Sequence, residues 1–287
     1  MKRIKKSKSP KELEKWKHEQ QKKGLSCSYD NMERSVKNVV HNSLIKEQGS
    51  ICCYTGIRIS VDSSHIEHLK PQTICVGNED VEYNNLLAAY PRPDPRNPST
   101  LDCDFGARKK ADWFDENLLI HPLRSDCEKH FTFDLEGKIA EDNEEIEKSI
   151  KILRKDIEDL QIKLSKENSK EAKKLKKLLE LKNKKLAAMS AKKEEDKPAK
   201  ETVKMLGLNN KILVSMRKKA IDEFLFPEEE EISESKAKMM LENIMNRDNQ
   251  GNFRPYCFVL FQACQIYIKE LKRSRIRRTS IHRQNQD

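Results

Sequence analysis

Ile146, Ile150, Leu153, Ile157, Leu160 and Leu164 recur at alternating steps of four and three, the spacing of a heptad seam. A seam of this length demands a helix longer than a compact core can wrap, so it splits the chain into an N-terminal and a C-terminal part. Beyond residues 165–169, Ala172, Leu175, Leu179, Leu186 and Met189 continue the apolar face on a second helix. Two such helices fold back as an antiparallel hairpin, or one long helix dimerises; the intramolecular hairpin is the expected form. Residues 191–200 are charged, contain Pro198 and read as a linker. The seam also explains the composition, in which charged and hydrophobic residues each make up 36% of the 287. A two-helix arm exposes most of its surface and leaves a modest core.

Before the arm, residues 1–23 are rich in Lys, Glu and Gln and read as a basic arm with a short helix over 11–21. Residues 31–48 carry Met32, Val36, Val39, Val40 and Leu44 on one side of a helix, with Gly49 as its cap. Residues 51–59 are strand formers around a Thr55-Gly56 turn and read as a small hairpin. A polar loop follows over 72–83, then a short buried element at 85–89 read as a helical turn. Four prolines over 91–99 exclude regular structure there, and residues 101–110 are where a helix could start. Residues 130–139 read as a hairpin turning at Glu136-Gly137. After the arm come an amphipathic helical region over 203–225 broken at Gly207, an acidic loop over 228–231, and helices over 237–245 and 255–271. Residues 272–287 form a basic tail, expected to be disordered.

The net charge of +10 favours a polyanionic partner, nucleic acid first. The Lys-rich helices of 148–198 are better read as solvated faces. No run of about 18 apolar residues exists, which excludes a transmembrane helix, and the basic start lacks the apolar stretch of a signal peptide. Eight cysteines without a CxxC pair point to reduced thiols and a cytoplasmic setting.

The chemistry concentrates in Ser64-His65-Ile66-Glu67-His68-Leu69-Lys70-Pro71. Phosphodiester hydrolysis needs an activated water, charge neutralisation on the phosphate and help for the leaving oxygen. A histidine near neutral pKa can take the water's proton, and a carboxylate can hold a divalent cation for the charge. His68 and Glu67 supply these two groups side by side. A strand sends neighbours to opposite faces, so a bend is needed for both to serve one site; Pro71 gives the chain reason to leave the strand. The pattern is not the zincin one, whose histidines lie four apart on a helix. His65 shares Glu67's alternation and is either a metal residue or a hydrogen-bonded structural histidine.

Taken with Cys52-Cys53-Tyr54-Thr55-Gly56 before it, and Tyr83-Asn84-Asn85-Leu86-Leu87 and Cys103-Asp104 after it, this run resembles the HNH endonuclease family. Glu67-His68-x-x-Pro71 is similar to the family's acid-His-x-x-Pro signature, and Asn85 to its central asparagine. The likeness extends to the PtuB-like branch found beside retrons and in the Septu antiphage system. It is carried there by Gln48-Gly49-x-Ile51-Cys52-Cys53, by Pro122-Leu123 with Cys127-Glu128-x-x-Phe131, and by Leu206-Gly207-Leu208-Asn209 with Arg217. It covers roughly residues 1–140 and 200–226, with the heptad region as an insertion.

The resemblance implies an α+β, mostly helical chain. Residues 1–48 form the arm and first helix, 49–140 a ββα-metal nuclease core, 141–198 the coiled-coil hairpin and linker, 199–271 helices packed on the core, and 272–287 the tail. It implies His68 as general base, Asn85 as the residue orienting it, and Glu67 as a ligand of Mg²⁺ or Mn²⁺. The remaining ligand belongs at the start of the helix after the hairpin; the sequence departs from the pattern there, with Asp104 the candidate and His121 behind it. Arg108 and Lys109 are placed to hold a phosphate. A structural zinc on Cys53, Cys103 and Cys127 lacks the usual CxxC spacing, and buried free thiols are the simpler reading. The implied partners are DNA and an ABC-type ATPase of the PtuA-like kind, in a hetero-oligomer. The alternatives are an assembly or adaptor protein with a degenerate HNH fold, and a nuclease directed at RNA.

Overall fold

The computed structural model of the chain describes residues 1–92, 103–139, 143–165, 170–228 and 232–284. Among these residues the protein is mostly helical, with one two-stranded antiparallel sheet. Residues 93–99 of the proline-rich stretch, 229–231 of the acidic loop and the last three residues lie outside the described set.

The heptad seam forms an intramolecular hairpin of α4 (Asn143–Ser165) and α5 (Lys170–Met205), which pack on each other. Ile150, Leu153 and Ile157 are buried on α4, while Leu175, Leu179, Leu186 and Met189 are half-buried on α5. Lys182 pairs with Asp156 across the two helices, as antiparallel packing requires. Helix α5 runs through Pro198 to Met205, replacing the linker expected over 191–200. Its end is held by the core: Thr202 accepts the Ile120 N–H at 2.8 Å and donates to the Leu118 carbonyl at 3.0 Å, with Val203 and Leu206 buried beside it. Tertiary anchoring outweighs the local cost of the proline.

The core gathers α1 (Lys11–Lys22), α2 (Arg34–Glu47), the sheet, α6 (Lys211–Leu225), α7 (Glu234–Asn243) and the first half of α8 (Cys257–Gln284). Helix α2 buries Val36, Val40, His41 and Leu44 at helical spacing. Gly49 follows it with φ +61°, and a Cβ there would sit 2.5 Å from the Phe253 ring, so both conformation and space require glycine. Helix α8 continues to Gln284, past the end expected at 271, so the basic tail begins as helix. The expected basic arm is docked at its start. Met1 and Ile4 are buried, the Ile4 N–H bonds the Pro122 carbonyl at 2.8 Å, and Lys6 pairs with buried Glu47 at 2.9 Å.

The sheet pairs β1 (His65–His68) with β2 (Leu86–Ala89) in the register His65↔Ala89, Ile66↔Ala88, Glu67↔Leu87 and His68↔Leu86. The segment expected to be a helical turn is therefore the partner strand; Leu86, Leu87, Ala88 and Ala89 are all fully buried. The hairpins expected over 51–59 and 130–139 are reduced to single bridges, Ile51↔Arg58 and Phe133↔Ile139. The other edge of β2 is covered by a side chain. The Gln48 amide accepts the Ala88 N–H at 2.7 Å and donates to the Ala88 carbonyl at 2.8 Å and the Ile51 carbonyl at 3.0 Å. Gln48 thus does the work of a third strand.

The segment after α5 closes the structure from far along the sequence. Gly207 has φ +57°, and a Cβ there would lie 2.6 Å from the Asp104 carbonyl. The Asn209 amide pairs with both backbone groups of Ile139, at 2.8 and 3.0 Å. Arg217, buried over the Phe133 ring, donates to the Leu208 and Gly137 carbonyls at 2.7 and 3.4 Å.

Gln48→Leu keeps the volume near but leaves the buried Ala88 N–H and Ile51 carbonyl unpaired, while the Ala88 carbonyl keeps only the Cys53 N–H at 3.2 Å. The expected loss is about 2–4 kcal/mol of stability, read as a lower urea midpoint with an unchanged slope.

Candidate functional site

Regular pairing through β1 sends Glu67 and His68 to opposite faces, so no bend brings them to one side. On one face His68 is buried with its ring edge-on to Tyr29, centroids 4.6 Å apart. Its Nε2 lies 2.9 Å from the Asp80 carbonyl oxygen. A carbonyl can only accept, so Nε2 carries the proton and Nδ1 keeps its lone pair. Burial lowers the His68 pKa, against the opposing hydrogen bond to Asp80 and the Glu67 charge, and holds the ring neutral at pH 7. Asp80 also accepts the Tyr29 N–H on Oδ2 at 2.7 Å, which fixes the aromatic wall, while its buried Oδ1 lacks a partner.

Asn85 does not touch the His68 ring; it closes the loop that begins directly after it. Its Oδ1 accepts the Lys70 N–H at 2.7 Å, and its Nδ2 donates to the Lys70 and Glu79 carbonyls at 3.1 Å each. The Leu69 N–H bonds the Asn85 carbonyl at 2.9 Å. Lys70 pairs with Glu79, which also accepts the Val76 N–H at 2.9 Å. The turn holding Glu79 and Asp80 is thereby tied to the strand end that carries His68, so Asn85 acts on His68 through the backbone.

On the other face Glu67 is almost enclosed, with 11% of its side chain exposed. Its Oε1 lies 3.0 Å from Lys110 Nζ and accepts from the Tyr54 hydroxyl at 3.2 Å. His65 Nδ1 donates to the Pro91 carbonyl at 2.8 Å, leaving Nε2 3.7 Å from Glu67 Oε2, too far for a hydrogen bond. Lys110 comes from α3 (Ala107–Lys110), a single turn within the stretch 101–110 where a helix could start. Burial first, then the Glu67 charge, raises the Tyr54 pKa well above its ordinary value, so Tyr54 stays a donor.

Asp104 stands apart from Glu67's neighbours. Its carboxylate is exposed and pairs with Lys109 at 2.9 Å, and its carbonyl accepts from Asn210 at 3.5 Å. Arg108 and Lys109 are exposed on α3. His121 is half-buried, and burial lowers its pKa. All eight cysteines are free, and among the described residues no three His, Cys, Asp or Glu side chains are grouped to hold a metal ion. The donors around Glu67 are an ammonium and a phenol, which do not fit a divalent cation. Lys110, Tyr54 and Asp80 went unread in the sequence. Lys110 hides in a basic run, and Asp80 acts through its carbonyl, which any residue has. No sequence signal marks Lys110, whose burial beside Ala107 comes from the path of the chain after Gly106.

No family model matches the chain. It is 32% identical over 108 residues to a protein described as a candidate HNH endonuclease of retron Vc95, from Vibrio cholerae serotype O1 biovar El Tor. The match covers 37% of this chain and 48% of that protein, so the chain spans about half the length of the curated relative it matches. The chain thus has distant, partial homology to a protein described as a candidate retron HNH endonuclease. No described helix is long and apolar enough to cross a membrane.

The β1 strand and the residues just before it yield two tests. Removing either partner of the Glu67–Lys110 pair strands a buried charge, so Glu67→Gln and Lys110→Met should each cost about 3–5 kcal/mol and the double variant much less than their sum. A double-mutant cycle by chemical denaturation measures that coupling. His41, whose Nε2 lies 2.9 Å from Ser64 Oγ just before β1, has its pKa lowered by burial to about 4. The unfolded chain binds more protons below the ordinary histidine value of 6.5, so stability from His41 is full above that pH and is lost down to about 4. Thermal melts should show that loss, and His41→Asn should flatten it.

Proposed function

We propose that the chain is an HNH-type endonuclease that hydrolyses phosphodiester bonds in DNA, the nuclease of a Septu- or retron-type antiphage complex with an ABC-type ATPase partner. The observation that carries this is His68, held neutral with Nε2 on the Asp80 carbonyl and Nδ1 left as the base. In the reaction Nδ1 takes a proton from water, the water oxygen forms its bond to phosphorus, and the bond to the leaving oxygen breaks. Solvent returns a proton to that oxygen. Asn85 is the positioning residue, holding the loop whose turn presents the Asp80 carbonyl. Arg108 and Lys109 meet the phosphate backbone from α3. β1, β2 and α3 come in the order of a ββα core, and the partial homology to a candidate retron HNH endonuclease supports the chemistry and a retron setting.

The family's divalent ion is left out of these steps because the donor set at Glu67 does not fit it. That same pairing favours a second reading, an assembly or adaptor subunit with a degenerate HNH fold, in which the helical arm is the working part. Plasmid nicking by the purified chain with its partner separates them. His68→Ala should lower the nicking rate by about 10²–10⁴-fold while folding and partner binding persist; equal nicking by the variant rejects His68 as the base. For wild type, the rate should fall in acid with an apparent pKa below 6.5 and be level near pH 7, because protonation of His68 removes the base.

A further inference from the structure

We propose that the cation held by Glu67 in this chain is the ammonium of Lys110, and that the site takes no divalent metal. The inference deepens the site of the preceding reading and rests on Glu67 being its acid. Lys110 has a side chain with 0% exposure, a rare state for lysine unless it is paired. Its Nζ lies 3.0 Å from Glu67 Oε1, 3.0 Å from the His68 carbonyl and 3.5 Å from the Ala111 carbonyl. An ammonium has three N–H donors, and these three oxygens match them in number.

Among the described residues, the surroundings leave no second carboxylate for a doubly charged ion. Tyr54 donates to Glu67, and His65 stands beyond hydrogen-bond distance with Nδ1 committed to the Pro91 carbonyl. Helix α3 offers Ala107, Arg108, Lys109 and Lys110, none of which is an oxygen or imidazole ligand, and Asp104 is turned to Lys109 at the surface. A divalent ion on Glu67 Oε1 would face the Lys110 ammonium across a few ångströms in a largely buried space. Like charges so placed repel strongly.

The backbone is shaped to deliver this lysine. The Gly106 N–H is anchored on the Leu206 carbonyl at 2.7 Å, α3 makes one turn, and Ala111 then adopts φ +45°, which an L residue rarely occupies. That turn brings the Ala111 carbonyl back toward the lysine that precedes it. The charge a metal would supply is thus written into the chain, and Lys110 ties β1 to α3 through Glu67 and the His68 carbonyl.

The test uses the full chain and MnCl₂ alone. The heat of calorimetric titration with Mn²⁺, and the change in Tm that millimolar Mn²⁺ causes, should be the same for wild type and Glu67→Gln, whatever their difference in Tm without the ion. A Mn²⁺-dependent rise in Tm that wild type shows and Glu67→Gln lacks overturns the proposal. Should Glu67→Gln fail to fold, ζ-¹⁵N-lysine labelling of wild type decides. A slowly exchanging ammonium signal, assigned through its loss in Lys110→Arg, should persist unmoved in millimolar Mg²⁺; a signal that shifts or vanishes with Mg²⁺ overturns the proposal. These are binding readouts, so absence of His68-dependent nicking would reject the nuclease reading and leave this one standing. A Glu67-dependent Mn²⁺ site beside normal nicking would reject only this one.

Discussion

The contact on which the centre of this structure depends is the buried pair of Glu67 and Lys110. It crosses from the first strand of the sheet to the single turn of α3, and the same ammonium reaches the His68 carbonyl. Through Gly106 and Asp104, α3 is in turn fixed to the Leu206–Asn210 corner, where Gly207 allows the two backbones to touch. That corner binds Ile139 and, through Arg217, the turn at Gly137. One ion pair therefore links the site to the segments of Gly137–Ile139 and Leu206–Asn210, which lie on either side of the helical arm. A buried pair of this kind is weak evidence for net stability; what it supplies here is a unique arrangement of hairpin and helix.

The two faces of β1 divide the work. The face of His68 has an aromatic wall, a carbonyl that sets the tautomer and burial that keeps the ring neutral, the features that the proposed general base needs. The face of Glu67 is built for charge balance, with the acid satisfied by groups of the chain itself. Adjacent residues on one short strand thus serve different surroundings, and the Lys110 ammonium, on Glu67 Oε1 and the His68 carbonyl, joins them.

Much of the fold was legible wherever periodicity and burial agree. The heptad seam, the buried face of α2 and the break at Gly207 all reflect one-dimensional patterns that the structure obeys. The second strand was not legible, because Leu86-Leu87-Ala88-Ala89 is made of good helix formers buried on both faces, and alternation carries no signal there. Its strand character comes from Gln48 and β1, two partners distant in sequence. Pro198 argued for a break in α5 that the anchoring of Thr202 overrides. Around β1, Glu67, His68 and Asn85 stand out in the sequence because their types and spacing carry chemistry, and the structure gives each a defined set of partners. Lys110 does not, since a lysine in a basic run is ordinarily solvated, and only the three-dimensional path after Gly106 turns it inward.

The central claim is that the acid of this site is already satisfied by a lysine of its own chain. The most direct measurement is a crystal structure of the full chain grown in Mn²⁺, with anomalous scattering recorded at the manganese edge. The account predicts no anomalous peak at Glu67, with Lys110 Nζ still within hydrogen-bond distance of the Glu67 carboxylate. A peak on Glu67 with the Lys110 side chain displaced would contradict it.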